Sequence, residues 1–231
     1  MLELSGVSAF YGHSRALQDV SLTVARGELL TVLGRNGMGK TTLMRAIMGL
    51  MDRTTGSIRL DGAEIAELPT HLRARAGLTI VPQGRGILPR FSVLENLRLG
   101  LFAAGAGRTL DEAAVFAVFP TLRDHLGRMG GNLSGGQQQQ LALARALVAN
   151  PKVILLDEPM EGIQPNIVEE IEAIIMRLNR ERGITIVLVE QNVAFARRAS
   201  QRFIFMEKGR IAAAGTAAEL IEELVHRHMA V

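Results

Sequence analysis

In the stretch LGRNGMGKTT, the residues Gly34, Arg35, Asn36, Gly37, Met38, Gly39, Lys40, Thr41 and Thr42 follow an apolar run and precede the helix-like LMRAIMGL. Gly34, Gly39, Lys40 and Thr41 satisfy the spacing GxxxxGK[ST]. Glycines at such a corner let the backbone wrap so that successive N–H groups point inward, and the helix that follows adds the positive end of its dipole. The chemistry this serves is polyphosphate binding. Lys40 reaches the terminal phosphates as a point charge, and the Thr41 hydroxyl suits Mg²⁺, a hard ion that keeps oxygen ligands.

Two further stretches add chemistry. KVILLDE is an apolar run ending in two carboxylates, Asp157 and Glu158. At the end of a buried parallel strand these face the crevice where ligands bind, so Asp157 can enter a Mg²⁺ shell and Glu158 can orient and deprotonate a water. LSGGQ, comprising Leu133, Ser134, Gly135, Gly136 and Gln137, opens a second helix. Its serine and glycines there form either another anion site or an ordinary helix cap.

These residues need a frame. ELLTVL, LTIV, KVILLD, ITIVLVE and RFIFME are continuous apolar runs, as strands buried on both faces should be, and helices alternate with them, so an α/β fold with a parallel sheet is expected. The first 30 residues and GSIRLDG alternate instead, which predicts a small antiparallel sheet. From Ser92 to Asn132 strand signals disappear; Ser92 and Glu95 form a capping box and LDEAAVFAVF keeps the helical period. We therefore expect one domain over residues 1–231, with a core of residues 1–82 and 133–231 and a helical subdomain over residues 84–132. HLRAR (His71–Arg75) reads as a solvated helix face, and ELIEELVHRHMAV as a docking helix whose His226 and His228 form no metal site.

Composition narrows the class. With 231 residues and 48% apolar content the chain can bury a sizeable core. No apolar stretch is long enough to span a bilayer. Zero cysteines exclude disulfides and thiolate metal sites. MLELSGVSAF lacks the features of a secretory leader, so the cytoplasm is the default expectation. The formal charge of +3 is well mixed and gives nucleic acid no support.

Loop, LSGGQ segment and acidic strand, in that order, resemble the ATP-binding subunits of ABC transporters over about Leu2 to Ala218. The resemblance implies a P-loop ABC ATPase with ATP and Mg²⁺ as cofactors, Tyr11 stacking on adenine, and Gln83 contacting Mg²⁺ and the attacking water. It also implies that two such subunits pack head to tail, so that the signature residues 133–137 of one close on the nucleotide held by the other. Where the family usually has a histidine after the fifth strand this chain has Gln191, and Gln164 stands where an aspartate is usual. An amide still donates a hydrogen bond but carries no charge. The combination GRNGMGKTT, SGGQQQQLA, EGIQP and LVEQN is similar to the ATPases of bacterial branched-chain amino acid importers and their relatives for urea or short amides. That implies two permease subunits, a periplasmic binding protein acting through them, and a place on the cytoplasmic face of the inner membrane. Ile87, Leu88 and Phe91 are expected partly to cap the helical segment's own core and partly to face a permease. The competing readings are an exporter of lipid or lipopolysaccharide and a soluble ABC-type ATPase acting on nucleic acid.

Overall fold

A computed structural model describes residues 1–105 and 107–229. In chain order the elements are β1 (Leu2–Tyr11), β2 (Ser14–Val24), β3 (Leu29–Leu33), α1 (Lys40–Met48), β4 (Arg53–Leu60), β5 (Ala63–Glu64), α2 (Thr70–Arg75) and β6 (Leu78–Val81). Helices α3 (Val93–Ala104), α4 (Glu112–Val118) and α5 (Gly135–Val148) follow, with short 3₁₀ turns at Pro120–His125 and Gly130–Asn132. The chain then runs through β7 (Val153–Asp157), α6 (Pro165–Arg180), β8 (Thr185–Val189), α7 (Val193–Ala199), β9 (Arg202–Glu207), β10 (Arg210–Thr216) and α8 (Glu222–Met229).

The two kinds of hydrophobic pattern give two kinds of sheet. Strands β3, β7 and β8 are buried at every position, and they sit inside a six-stranded sheet of order β10-β9-β3-β8-β7-β6. Five of these strands are parallel; β10 is the antiparallel edge. Helices cover both faces, which is why the strands need no polar side. The alternating segments form the smaller antiparallel sheet, order β2-β1-β4-β5. Its inward residues, Leu4, Val20, Leu22 and Ile58 among them, share a core with Met44 and Ile47 of α1.

Register sets the site. Val189 of β8 pairs with Val32 of β3 on one side and with Asp157 of β7 on the other. The segments leaving β3 at Gly34, β7 at Glu158 and β8 at Glu190 therefore emerge side by side at the same edge of the sheet.

Between residues 92 and 132 the described chain holds helices, turns and one isolated bridge, Ser92 to Met129, as its pattern requires. The Ser92–Glu95 capping box is formed, and Asp111 caps α4. Val93, Leu97, Phe119 and Leu122 bury against Leu141 of α5 in a second core. Ile87 packs on that core, as the core-capping half of the expectation has it, while Leu88 and Phe91 are exposed.

One expectation needs correction. Arg73 is buried, not a solvated charge: its guanidinium donates to the carbonyls of Ala46 (2.9 Å), Ile47 (2.8 Å), Leu68 (2.8 Å) and Ala66. The last carbonyls of α1 lack intrahelical partners, and the planar fork of an arginine satisfies two of them at once. The C-terminal helix docks as expected, although Ile221, just before it, stays exposed. Leu224 and Val225 pack on the cluster of Leu33, Phe203 and Phe205, and His228 stacks on Phe205 with its Nδ1 2.6 Å from Glu207 Oε1. No group of three or more metal-ligating side chains occurs among the described residues.

Candidate nucleotide site

Strand β3 runs straight into the glycine-rich corner. Gly34 has φ 142°, and a Cβ on it would lie 2.5 Å from the Met206 carbonyl oxygen, so only glycine lets the corner pass over β9. Gly37 and Gly39 also have positive φ, and Gly39 is the N-cap of α1 with no side-chain cap, which leaves the first N–H groups of the helix without side-chain acceptors. Lys40 is 5% exposed, and its ammonium donates to the carbonyls of Gly34 (2.8 Å) and Arg35 (3.0 Å) while standing 3.5 Å from Glu158 Oε1. The loop thus folds back on its own lysine.

From β7, buried Asp157 accepts a hydrogen bond from Thr41 Oγ1 at 3.2 Å. Burial pushes its carboxyl above the ordinary aspartate value, opposed by the Thr41 bond. A desolvated carboxylate and a hydroxyl are hard oxygen donors, the set that Mg²⁺ takes when phosphates supply the rest of its shell. Glu158 follows with φ 46°, a conformation that costs a non-glycine residue energy and collects at functional sites.

From β8, Glu190 is buried and accepts the backbone N–H groups of Gln191 (2.9 Å) and Asn192 (3.1 Å); burial pushes its carboxyl up, those two bonds opposing. This holds the turn that presents Gln191. Its amide donates to Glu158 Oε1 (3.0 Å) and to Asn36 Oδ1 (2.9 Å). All three strand ends therefore meet at Glu158.

A cleft of about 630 Å³ lies over this meeting point, lined by Tyr11, Asn36, Gly37, Gly39, Lys40, Thr41, Thr42, Gln83 and Glu158 among the residues expected from sequence. Tyr11 is 42% exposed at its mouth, with the Arg45 guanidinium 5.9 Å from the ring centre. Gly34, Arg35, Asp157 and Gln191 reach the cleft through their bonds to lining residues, and Met38 carries the turn from Arg35 to Gly39. Gln83 donates to Glu161 Oε2 at 2.7 Å. Four lining residues escaped the sequence reading: Arg15, Ala16, Lys208 and Gly209. They come from β2 and the β9–β10 turn, distant in sequence and outside any motif.

None of residues 133–137 lines the cleft. Ser134 caps α5 in a reciprocal box with Gln137, whose amide also meets His125. Gly136 packs on α6, where a Cβ would lie 2.4 Å from Ile167 Cγ2. Two side chains link this helix to the loop after β6: Arg85 donates to Gln138 Oε1 (2.7 Å), with Gln138 Nε2 donating to the Leu133 carbonyl (3.2 Å), and Arg145 of the helix donates to the Gly86 carbonyl (2.7 Å). Gln164 sits at the N-cap of α6 without a side-chain cap bond.

Residues 17–161 match the family model described as ABC transporter. The chain belongs to the ABC transporter family. It is 40% identical over 222 residues to the high-affinity branched-chain amino acid transport ATP-binding protein BraG of Pseudomonas aeruginosa, covering 96% of this chain and 95% of that one. It is 37% identical to the lipopolysaccharide export system ATP-binding protein LptB of Escherichia coli, covering 96% and 93%. The dimeric post-hydrolysis structure of the ATP-binding cassette MJ0796 bound to ADP and Pi superposes with a TM-score of 0.82 at 29% identity, covering 94% of this chain and 99% of that one. The fold is accordingly that of an ABC ATPase, with its catalytic activity coupled to transport. No helix among the described residues is long and apolar enough to cross a membrane.

Proposed function

We propose that this chain binds and hydrolyses ATP in the cleft described above and thereby drives an importer of branched-chain amino acids. The observation that carries the site reading is the convergence of Lys40, the Thr41–Asp157 pair and Glu158 at one sheet edge under a cleft flanked by the chain's sole tyrosine. The 40% identity to a branched-chain amino acid transport ATPase supports the cargo.

In this reading Tyr11 stacks on the adenine and the loop N–H groups take the phosphates. Lys40 exchanges carbonyl contacts for the terminal phosphates at little ordering cost, since its side chain is already held. Thr41 and Asp157, with Gln83, would hold Mg²⁺, which when bound neutralises charge on the β and γ phosphates. Glu158 accepts the proton of the attacking water as the oxygen of that water bonds to the γ-phosphorus and the bond to the bridging oxygen breaks. Both N–H groups of the Gln191 amide are engaged, one by Glu158 Oε1 and one by Asn36. Gln191 therefore acts by fixing the base, leaving Glu158 Oε2 to face the water; it donates to phosphate only by giving up one of those bonds.

The absence of residues 133–137 from the cleft supports a second subunit that brings its own signature across it. The likeness to a branched-chain amino acid transport ATP-binding protein supports permeases at the inner face of the membrane and a periplasmic binding protein beyond them. The lipopolysaccharide exporter reading has the 37% relative in its favour. Reconstitution of the chain with the permeases encoded beside it tests the assignment. ATP-dependent uptake of leucine that disappears in Glu158→Gln is expected. Uptake of urea or amides instead would correct the cargo, and no nucleotide turnover in the assembled wild type would sink the reading.

A further inference from the structure

Arg15 and Lys208 bring two cations to the cleft that no motif accounts for. Arg15 is anchored: its Nη2 donates to buried Ser8 Oγ at 2.6 Å and its Nε to the Leu17 carbonyl at 3.3 Å, which leaves Nη1 without an acceptor among the described residues. Lys208 and Gly209 form the two-residue turn between β9 and β10, both with positive φ (48° and 76°). Such turns favour asparagine or glycine at the first position, so a lysine there breaks the local rule. Broken local rules concentrate where function compensates them.

The turn is also pinned to the phosphate loop. Gly209 N–H donates to the Met38 carbonyl at 3.0 Å, and Gln18 N–H donates to the Gly209 carbonyl at 2.8 Å. A Cβ on Gly209 would lie 2.1 Å from the Ala16 carbonyl oxygen, so the approach of turn to β2 is as close as backbone allows. Neither Arg15 nor Lys208 has a carboxylate oxygen within ion-pair distance among the described residues. With Lys40 they give the lining three cations against one carboxylate, Glu158.

We propose that Arg15 and Lys208 form a second cationic flank of the cleft, one that reads the phosphate charge of a nucleoside triphosphate from outside the phosphate loop. The inference rests on the nucleotide reading of the cleft. Charge-assisted contacts to phosphate are worth more than neutral ones, and each added phosphate should gain from them.

The test is calorimetric titration of the full chain with ATP, ADP, AMP and adenosine at two salt concentrations. Arg15→Gln and Lys208→Asn should each weaken ATP by about five- to tenfold, leave adenosine unchanged, weaken AMP least, and flatten the salt dependence of ATP binding. Arg15→Lys should keep most of the affinity. Lys208→Asn suits the left-handed backbone better than lysine does, so it should melt at or above the wild-type temperature while losing ATP affinity, a pairing that a purely structural role does not produce. Wild-type ATP affinity in both variants, or equal losses for ATP and adenosine, would overturn the flank while leaving the cleft reading intact. A wild type that binds no nucleotide would overturn both.

Discussion

At the residue scale the lesson is how many tasks converge on one carboxylate. Glu158 sits in a strained backbone conformation, faces the Lys40 ammonium and accepts from Gln191. Lys40→Ala should abolish ATP-dependent thermal stabilisation, which follows mass action; an unchanged shift in melting temperature with MgATP would remove Lys40 from the site. Glu158→Gln should retain that stabilisation and lose turnover by about two to four powers of ten, since the amide keeps the shape but cannot accept a proton. For Gln191, loss of the amide in Gln191→Ala frees the Glu158 carboxylate to swing and should cut kcat by about tenfold at unchanged KM, the size of one hydrogen bond to a charged group. Gln191→His restores a donor and should recover the loss or exceed wild type. Equal kcat for Gln191→Ala and wild type would show that Glu158 needs no such support.

At the element scale, helix α1 is held at both ends, by the phosphate loop at its start and by Arg73 at its finish. Arg73→Met fills the space but leaves several buried carbonyls without donors, a loss of roughly 2–4 kcal/mol in denaturant unfolding. Arg73→Lys should not rescue, because an ammonium cannot span the same carbonyls as a fork; full rescue would mean that charge alone matters. The β4–β5 hairpin carries a pH signature. Hydrogen bonds from Ser57, then from the backbone of Ile58 and Ala66, hold the Glu64 carboxyl down at about 2. A depressed carboxyl stabilises the fold above its unfolded pKa and loses that contribution as pH falls toward the folded value. Wild type should therefore lose more stability between pH 4.5 and 2 than Glu64→Gln does, as read from melting temperatures across that range. Continuous against alternating apolar runs announced both sheets, and the capping residues announced α3 and α5, because these signals are local. Arg73 and the β9–β10 turn were not legible. Their roles depend on which carbonyls and which loop tertiary packing brings near them, and a short basic run looks the same on a wet face as over a helix end.

For the whole molecule, the decisive fact is that the signature residues stand apart from the cleft of their own chain. If each working site combines the phosphate loop of one subunit with the signature of another, Lys40→Ala and Ser134→Arg chains are each inactive but complementary. Mixed, they form pairs with one intact site, and by random pairing about a quarter of wild-type turnover should return. No recovery on mixing, in chains shown to pair, would mean that each subunit hydrolyses alone. Arg85 and Gln138 join the loop after β6 to the helix bearing the signature. Arg85→Ala should accordingly lower turnover of the assembled pair while leaving ATP affinity of the single chain within about twofold, since neither Gln138 nor Gly162, to which Arg85 donates, lines the cleft.

Tyr11 is the only tyrosine in the sequence, and tryptophan is absent. Ultraviolet emission from the unlabelled protein therefore originates almost entirely from a single phenol ring, and that ring stands half-exposed at the mouth of the cleft. A purine settling against it would quench the glow directly. If Tyr11 stacks on the adenine as proposed, the native chain is its own optical reporter of occupancy, readable in a stopped-flow cuvette without a dye, a label or an engineered probe.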